Sequence, residues 1–451
     1  MKFAAFVRSA ALVTAAALIP VTTTAMAQVD GRAGPEFAKL FAVYQRVKAS
    51  YVDPVDDQKL IRGAIDGMLA SLDPHSAFLD GGDLQRLETM IDGNYSGLGL
   101  SVIQEDGAVK VIAPFRGSPA DRAGLKAGDY ITHLDGKLIY GGSLDEAVSQ
   151  MRGAAGTSIR LTIFRAGREE PFDVTVTRGV IDLEPVTHKL ESGRIGVITV
   201  NEFSRDVGAD VLSSYEALVR EAGGELAGLV LDMRQNPGGS LDEAVALSDL
   251  FLAEGQIVSQ RGRVRGENIS YDAESAFPGE IAENVPLIVL IDAGSASASE
   301  IVAGALKDHR RALVMGDRSF GKGSVQSLLP LGNDAALKLT TARYYTPSGH
   351  SVQEGGIRPD IAVPQLSDPD RERRSRFALR EADLRGHLVN ELALADDALE
   401  QDRADDPRFR QTAQQLKEQG IEDFQLHYAL QTLRRTAPGT PAPPRAATTR
   451  R

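Results

Sequence analysis

The chain has 451 residues, of which 42% are apolar and 25% are charged, and this composition is that of an ordinary globular protein. Its formal net charge is −12 and its basic residues are scattered along the sequence, which argues against a nucleic-acid partner. Cysteine is absent, and this excludes disulfide bonds, thiolate metal sites and a lipid attached through an N-terminal cysteine.

Residues 1–27 have the three parts of a secretory signal peptide. Basic residues come first, an apolar segment follows over residues 10–20, and residues 25–27 (AMA) have the A-x-A form of a cleavage site. The apolar segment is too short to span a bilayer comfortably. We therefore expect an exported, periplasmic protein that is cleaved after Ala27, or a membrane-associated one if the signal is retained.

Residues 28–82 are predicted to form an N-terminal helical domain. Apolar residues recur at helical spacing from Phe37 to Tyr51, and a second helical pattern runs from Leu60 to Leu72. That second pattern ends before an Asp-Pro pair, where proline disfavours further helix. Such short helices enclose little core by themselves, so we expect them to pack on another domain or on another subunit.

Residues 83–178 consist of short β-type runs punctuated by glycine, which predicts a small binding domain. The glycines of Gly97-Leu98-Gly99-Leu100 allow several backbone N–H groups to converge on one carboxylate, and an adjoining strand edge can add an extended peptide. Taken alone, this loop can also be a glycine turn that leads into a strand. Together with the segment GSPADRAGLKAGDYITHLDG, it resembles the carboxylate-binding loop of a PDZ domain. The predicted strands and helix are Leu100–Ile103, Val109–Ile112, Asp129–Leu134, Ile159–Arg165, Phe172–Thr177 and Leu144–Met151.

Residues 179–364 alternate strand and helix patterns, which predicts an α/β domain. The predicted strands are Ile195–Val200, Leu226–Met233, Val285–Ile291 and Arg311–Gly316, and the predicted helices are Asp210–Glu221, Leu241–Ala253 and one that follows Ser297. Beyond this domain, residues 365–435 form a charged region with helices predicted over Arg371–Asp396 and Arg408–Leu433. Residues 436–451 have a composition typical of a disordered tail.

Three serines, Ser295, Ser297 and Ser299, follow the strand that ends at Ile291. Ser297 and Glu300 have the S-x-x-E spacing of a capping box. A serine at a helix N-terminus lies where unpaired N–H groups and the helix dipole stabilise developing negative charge. The spacing does not decide which of the three serines is reactive.

A base for such a serine has to come from outside this helix. His309 and Asp308 lie near its other end, and twelve residues of helix separate Ser297 from His309 by about 18 Å. The remaining histidines are isolated in the sequence and are predicted to be surface or packing residues, with no metal-binding spacing among them. They are His75, His133, His188, His350, His387 and His427.

Lys322 lies between two glycines after a predicted strand and is the candidate base. To accept a proton it must be neutral near pH 7, so its pKa must lie about 3 units below the ordinary value, a difference of roughly 4 kcal/mol. Burial lowers a lysine pKa in this direction. The alternative is an exposed loop lysine, just as Gln326, four residues later, can be an ordinary polar strand residue.

The segment LDMRQNPGGS (residues 231–240) is a strand end that turns through Pro-Gly-Gly into a helix. Glycines at such a turn free the backbone to direct an N–H group at an oxyanion. The alternative is a plain strand-to-helix turn.

These segments resemble, in their order, the carboxy-terminal processing peptidases (tail-specific proteases) of serine peptidase family S41. The matching pieces from Phe37 to Pro364 are VYQRVKASYVDPVD, LDPHSAFL, the PDZ segment, LDMRQNPGGS, GSASASEIVAGALKD, GDRSFGKGSVQ and ARYYTPSGHSVQEGGIRPD. The resemblance implies a multidomain α/β fold with an N-terminal helical segment, a PDZ domain, a protease core of the ClpP/crotonase-like type and a helical C-terminal extension. No cofactor and no metal are implied.

The same resemblance implies roles for individual residues. Ser297 is the nucleophile, Lys322 is the general base and Gln326 orients the lysine. The backbone N–H groups of Gly239 and Ala298 form the oxyanion hole. The implied activity is that of an exported serine endopeptidase.

The implied partners are the C-terminal tails of exported proteins, which the PDZ loop from Gly97 to Leu100 captures. Leu100 stands where a phenylalanine is frequent in the family, so the accepted terminal side chains can differ. We also expect a periplasmic adaptor protein, and homo-oligomers formed through the helical terminal regions.

Two other functions fit part of the sequence. Residues 316–322 match G-x-x-x-x-G-K, the start of a phosphate-binding P-loop, but Gly323 stands where the Mg²⁺-binding serine or threonine is required. A proteolytically inactive PDZ scaffold in the periplasm is the stronger alternative.

Overall fold

The computed structural model describes residues 33–436, except 85–86, 88–93, 106–107, 115–117, 127, 140–143, 166–167, 169, 183–184, 275–280, 282–283, 333–334, 369–379, 385 and 393–408. The predicted signal peptide lies outside the described residues, as does the predicted disordered tail apart from Thr436. No helix within these ranges has the length and apolar character that a membrane span requires.

The secondary structure follows the predicted alternation. The helices are α1 (Ala33–Ser50), α2 (Asp57–Ala70), α3 (Pro119–Arg122), α4 (Leu144–Met151), α5 (Val207–Glu221), α6 (Leu241–Asp249), α7 (Ala298–Asp308), α8 (Ala413–Glu418) and α9 (Phe424–Thr436). The strands are β1 (Ala77–Leu79), β2 (Asn94–Gly97), β3 (Leu100–Glu105), β4 (Ala108–Pro114), β5 (Tyr130–Leu134), β6 (Lys137–Leu138), β7 (Ser158–Phe164), β8 (Phe172–Thr177), β9 (Gly179–Asp182), β10 (Val186–Glu191), β11 (Ile195–Val200), β12 (Gly228–Asp232), β13 (Gln256–Gly262), β14 (Ile269–Asp272), β15 (Leu287–Ile291), β16 (Leu313–Gly316), β17 (Ser324–Gly332), β18 (Ala335–Tyr345) and β19 (Ile361–Ala362).

Among the described residues, 33–68 form a compact unit of their own, which contains α1 and most of α2. Several large apolar side chains of this unit are exposed, among them Phe37, Leu40 and Phe41. These three side chains line an apolar groove between α1 and α2. Exposed apolar surface of this kind is typical of a contact site, in agreement with the expected packing on another domain or subunit. That packing itself stays a prediction.

The PDZ region is built on an antiparallel sheet in the order β3-β4-β5-β7-β8, with β6 paired to β5. Alternate side chains of β7 point into a buried cluster, as Ile159, Leu161 and Ile163 show. Strands β2 and β9 form a short antiparallel pair at the two points where the chain enters and leaves the domain, with Gly97 opposite Gly179. Because β3 lies at one end of the sheet, its outer edge is open to a further strand.

The α/β core contains a six-stranded sheet in the order β10-β11-β12-β15-β16-β19. Only β10 runs antiparallel, and the five other strands are parallel. Strands β12 and β15 are buried at every position, which agrees with their continuous apolar runs. One face of the sheet packs in a cluster with α5, α6 and α7.

The C-terminal region covers the opposite face of this sheet. Val230, Leu290 and Met315 of the sheet share a buried cluster with Leu430 and Leu433 of α9. A parallel sheet needs apolar cover on both faces, and α9 supplies it on this face of the α/β core.

The C-terminal helices differ from their prediction. The helix predicted over Arg408–Leu433 is broken: α8 ends at Glu418, Gly420 has a φ of 72°, and α9 begins at Phe424. A glycine in the left-handed region ends a helix at low cost. Part of Arg371–Asp396 lies outside the described residues, and its described part holds a single 3₁₀ turn, Glu381–Asp383, so a continuous helix there is wrong.

A second sheet of the same unit has the order β1-β18-β13-β14, with β17 also paired to β18. The short loop after β16 carries Lys322 and leads directly into β17. Strand β1 pairs with β18 on the side opposite β17, with Phe78 opposite Leu337. This sheet therefore brings residues before the PDZ domain and residues after Lys322 into one element.

Candidate active site

The predicted reactive groups follow three neighbouring strands of the parallel sheet at their carboxyl ends. Gly239 follows β12, Ser297 follows β15 and Lys322 follows β16, and these strands are adjacent in the order β12-β15-β16. Carboxyl ends of parallel strands meet at one edge, where α/β proteins bind their ligands. The structure thus brings the three residues to the same edge of the sheet.

Among the three serines, only Ser297 has a hydroxyl that is available within the described part of the chain. Ser295 and Ser299 are fully buried, and their hydroxyl groups donate to the carbonyl oxygens of Met233 (2.8 Å) and Asn236 (3.0 Å). Ser297 is partly exposed. The hydrogen bonds of the two flanking serines connect the serine loop to the loop after β12 and leave Ser297 as the available serine. The spacing of the three serines alone could not make this choice.

The backbone of Ser297 lies outside the usual regions, with a φ of 53° and a ψ of −110°. Ser297 N–H donates to Glu300 Oε2 at 2.8 Å, which is the hydrogen bond that the predicted capping box requires of Glu300. A non-glycine residue in such a conformation costs about 1–3 kcal/mol, and such strain is frequent at functional sites.

Gly239 and Ala298 present two backbone N–H groups that donate to no other described residue. Phe203 pairs with the loop at Gly239, since Phe203 N–H donates to Gly238 O (2.9 Å) and Ser240 N–H donates to Phe203 O (2.8 Å). The neighbours of Gly239 point toward Phe203, so Gly239 N–H faces the opposite side. Gly238 packs against Ser297 and Ala298, which brings the two free amides near the serine.

Replacing Gly239 by alanine should lower kcat about 100-fold or more, the usual cost of losing an oxyanion donor. Gly239 has a φ of 148°, and a β-carbon there would overlap the carbonyl oxygen of Phe203, so the loop must shift. The measurement is steady-state cleavage of a peptide by native and variant enzyme, with KM expected to change little.

Gly224→Ala is the matched control for this variant. Gly224 has a similar φ of 139°, but a β-carbon there meets nothing within 4 Å. This control has the backbone strain of an alanine at positive φ, but it displaces no neighbouring atom. Equal losses of kcat in the two variants would contradict the role of the Gly239 amide.

Lys322 is largely withdrawn from water. Burial lowers its pKa, the nearby Lys338 ammonium lowers it further, and the Glu381 and Glu300 carboxylates act in the opposite direction. The resulting pKa lies below the ordinary lysine value, which is the direction that a general base requires.

Glu300 connects the serine and the lysine through a fully buried carboxylate. Its Oε2 accepts from Ser297 N–H (2.8 Å) and Lys322 N–H (2.9 Å), so both backbones contact one oxygen atom. Its Oε1 accepts from Gly321 N–H (2.7 Å) and Ser319 Oγ–H (2.6 Å). Burial raises the pKa of Glu300 to about 7, although these hydrogen bonds pull it downward. The sequence indicated Glu300 only as a helix cap and missed this connection.

Gln326 is close in sequence to Lys322 but makes other contacts. Its Nε2 donates to Ser324 Oγ (2.9 Å) and Thr340 Oγ1 (3.3 Å). Within the described ranges the structure shows no hydrogen bond between Gln326 and Lys322. The orienting role of Gln326 therefore stays a prediction.

Two of the histidines, His309 and His75, have side-chain contacts that bear on the predictions for this site. His309 follows the unbroken α7, and its Nε2 lies 2.7 Å from the carbonyl oxygen of Gln256, away from Ser297. His75 is not an isolated side chain, because its Nε2 lies 2.9 Å and 3.0 Å from the two carboxylate oxygens of Glu381. These residues are 306 positions apart, so no local pattern could pair them. No group of described residues could hold a metal ion.

The predicted carboxylate-binding loop has a backbone fixed by its neighbours. Gly99 has a φ of 73°, its carbonyl oxygen accepts from Ser118 Oγ (3.0 Å), and Leu98 O accepts from Ala120 N–H (2.8 Å). Ser118 also caps α3. The loop leads into the edge strand β3 at Leu100, so a peptide terminus at the loop could extend along that edge.

Comparison with known families matches three parts of the chain. Residues 194–363 match peptidase family S41, residues 111–165 match a PDZ domain, and residues 9–82 match the N-terminal domain of the activating protease CtpB. The first match contains the three strand ends described above.

Individual relatives are similar over most of their length. A carboxy-terminal-processing protease of Bartonella bacilliformis is 46% identical over 354 residues, which are 78% of this chain and 80% of the relative. The carboxy-terminal processing protease CtpB of Bacillus subtilis is 35% identical over 353 residues, with 77% and 71% covered. Among solved structures, a photosystem II D1 C-terminal processing protease is 29% identical with a TM-score of 0.50, and the match covers 78% of this chain and 93% of that one.

Proposed function

The chain belongs to peptidase family S41, as a carboxy-terminal processing serine protease with a PDZ domain, and on this premise we propose that it cleaves exported proteins through Ser297 and Lys322. Ser297 is the nucleophile and Lys322 is the general base. The substrates are recognised by their free C-termini, which bind at Gly97–Leu100. The protease acts in the periplasm after export.

The proposed reaction proceeds through an acyl-enzyme. The neutral Lys322 amine removes the proton of Ser297 Oγ, which attacks the substrate carbonyl carbon. The N–H groups of Gly239 and Ala298 bind the oxyanion that forms. Lys322 then gives its proton to the leaving amine as the peptide bond breaks. Lys322 then deprotonates a water molecule, which attacks the acyl carbonyl carbon. When the bond to Ser297 Oγ breaks, the product leaves as a carboxylic acid and Lys322 returns its proton to Ser297 Oγ.

One observation carries this proposal above the others: Ser297 N–H and Lys322 N–H donate to the same oxygen of Glu300. This shared acceptor fixes the backbone of the nucleophile relative to that of the base. The available Ser297 hydroxyl, the two free amides and the lowered pKa of Lys322 supply the remaining requirements of the reaction.

Other parts of the proposal concern orientation and partners. Gln326 would orient Lys322 after its side chain leaves Ser324 and Thr340, a change that substrate binding could favour. The exposed apolar side chains of α1 and α2 support assembly into homo-oligomers through the terminal helices. An adaptor protein in the periplasm would deliver substrates to the PDZ domain.

The test compares two peptides of identical sequence, one with a free C-terminal carboxylate and one with a C-terminal amide. We expect kcat/KM to be about tenfold or more higher for the free acid, because the amide removes the charge that the loop amides bind. Cleavage is followed by mass spectrometry, with Ser297→Ala as the inactive control.

Three results would each contradict a different part of this proposal. Equal cleavage of both peptides would contradict recognition of the C-terminus. Cleavage by the Ser297→Ala variant would contradict its role as nucleophile. Binding of the free acid without any cleavage by the native chain would favour the inactive PDZ scaffold.

A further inference from the structure

The turn from Asp73 to Ser76 is anchored to the sheet that carries the Lys322 loop. The Asp73 carboxylate is buried and accepts from the N–H groups of His75 and Ser76, both at 2.8 Å, and from Thr340 Oγ1 at 3.1 Å. Ser76 Oγ in turn accepts from Thr340 N–H at 3.1 Å. Thr340 lies on β18, so this turn has a fixed position in the unit that contains the active site.

This anchoring places the His75 imidazole against Glu381, whose side chain has no exposed surface. The Nε2 atom of His75 lies 2.9 Å from Oε1 and 3.0 Å from Oε2 of Glu381. Burial alone would raise the pKa of Glu381, but the hydrogen bonds from His75 and Gln353 outweigh it and hold that pKa below the usual range. Glu381 is therefore ionised at neutral pH, and His75 Nε2–H donates to it.

Glu381 reaches the Lys322 loop from two sides. Its backbone N–H donates to Phe320 O at 3.2 Å, two residues before Lys322. Its Oε1 accepts from Gln353 Nε2 at 3.1 Å, and Gln353 Oε1 accepts from Gly323 N–H at 3.1 Å, one residue after Lys322. The contacts of Glu381 thus bracket the lysine along the chain.

Three charged groups of the described residues face the Lys322 amine: Lys338 on β18, Glu300 on α7 and Glu381. Lys338 favours the neutral amine, whereas Glu300 and Glu381 favour the ammonium. Glu381 consequently has two opposed effects on Lys322 as a base. Its hydrogen bonds position the Lys322 loop, whereas its negative charge favours the protonated form of the lysine amine. A hydrogen bond from His75 to Glu381 reduces the second effect.

We propose that His75 and Glu381 form a positioning pair for Lys322: they hold its loop through Gln353 and Phe320, and His75 weakens the effect of the Glu381 charge on the lysine amine. In this proposal both residues act through Lys322 and its loop. The proposal deepens the function proposed above, since it rests on Lys322 as the base.

The test measures the titration of the Lys322 amine directly, as well as activity. An amine-reactive reagent is applied to the full-length protein across a pH series, and modification of Lys322 is read by peptide mass spectrometry in the Ser297→Ala background. The pH dependence of kcat/KM is measured in parallel with the native serine. The first readout does not depend on the reaction that Lys322 carries out.

The two single variants have opposite expected shifts. Glu381→Gln keeps the shape and removes the charge, so the midpoint of Lys322 should move to lower pH by about 1 unit. His75→Ala leaves Glu381 without its partner, so the midpoint should move to higher pH, and activity at neutral pH should fall about tenfold. Activity of His75→Ala should recover as the pH rises, which a loss of structure would not produce.

The double variant and a matched control sharpen the result. In the Glu381→Gln background, His75→Ala should no longer shift the midpoint, because the charge it balances is gone. His309→Ala is the control: His309 Nε2 lies 2.7 Å from the carbonyl oxygen of Gln256, and His309 is not among the charged groups that act on Lys322 or on Glu381. This variant should leave the Lys322 midpoint unchanged.

Two outcomes would overturn the positioning pair: an unchanged Lys322 midpoint in Glu381→Gln, or a loss of activity in His75→Ala that is equal at every pH. A different outcome would separate it from the proposed function. If the amine midpoints shift as expected while the activity profiles do not follow them, the pair stands and Lys322 is not the base.

Discussion

Replacing Lys322 by methionine is expected to abolish cleavage while leaving the protein at least as stable as the native enzyme. Methionine fills a similar volume without a charge, and losing a general base costs about 100- to 10,000-fold in rate. Burial holds the Lys322 pKa below its value in the unfolded chain. The native protein therefore loses stability as the pH falls from the unfolded pKa through the folded pKa, and the variant does not.

Two measurements check this expectation: the rate of peptide cleavage and the thermal unfolding midpoint at neutral pH. We expect activity below detection and an unfolding midpoint equal to or above that of the native enzyme. Lower stability together with lost activity would indicate that Lys322 has a structural role instead.

Lys322→Arg and His309→Ala complete the test. Arginine keeps the positive charge but cannot be deprotonated in a protein, so Lys322→Arg should also be inactive. His309→Ala should keep its activity within about twofold, because this side chain contacts Gln256 O rather than the serine. Cleavage by Lys322→Arg would contradict the lysine base, and complete inactivity of His309→Ala would favour a histidine mechanism.

The α/β core was predictable because its signals are local. The apolar runs of β12 and β15 indicate burial on both faces of the sheet, and the helical spacing of the apolar residues after Ser297 predicts α7. Strand-helix alternation then implies that neighbouring strands are parallel, which places their carboxyl ends together. The short β-type runs punctuated by glycine likewise predicted a small binding domain, and the resemblance of two of its segments indicated a PDZ domain.

The failures concern contacts between residues that are distant in sequence. Periodicity shows that a residue is buried but not what it packs against, so the cover that α9 provides on the second face of the sheet was not predicted. The capping-box spacing of Glu300 is satisfied by one hydrogen bond within α7, whereas three others come from the Lys322 loop. Glu381 lies in a segment with no motif at all.

Replacing Glu300 by glutamine is expected to lower kcat about 100-fold with little change in KM. Glutamine has a single acceptor oxygen, so its NH₂ group must face two of the four donors that now bind the carboxylate. The buried N–H groups left without an acceptor cost about 1–3 kcal/mol each. Glu243→Gln is the matched control, since the Glu243 carboxylate also accepts two backbone N–H groups, from Asp206 and Gly208. Equal losses of kcat in both variants would contradict the role of Glu300 in aligning serine and lysine.

The same variant separates what Glu300 does for folding from what it does for catalysis. Burial raises the pKa of Glu300 to about 7 from 4.5. Between these pH values the folded protein holds a proton that the unfolded chain has lost, so this contribution to stability declines as the pH rises through 7. Catalysis requires the carboxylate, because a protonated oxygen cannot accept from all four donors. Activity should therefore rise with pH where this contribution to stability declines. The difference in unfolding free energy between native and Glu300→Gln proteins should change from pH 5 to pH 8, and a constant difference would show that Glu300 keeps one protonation state throughout.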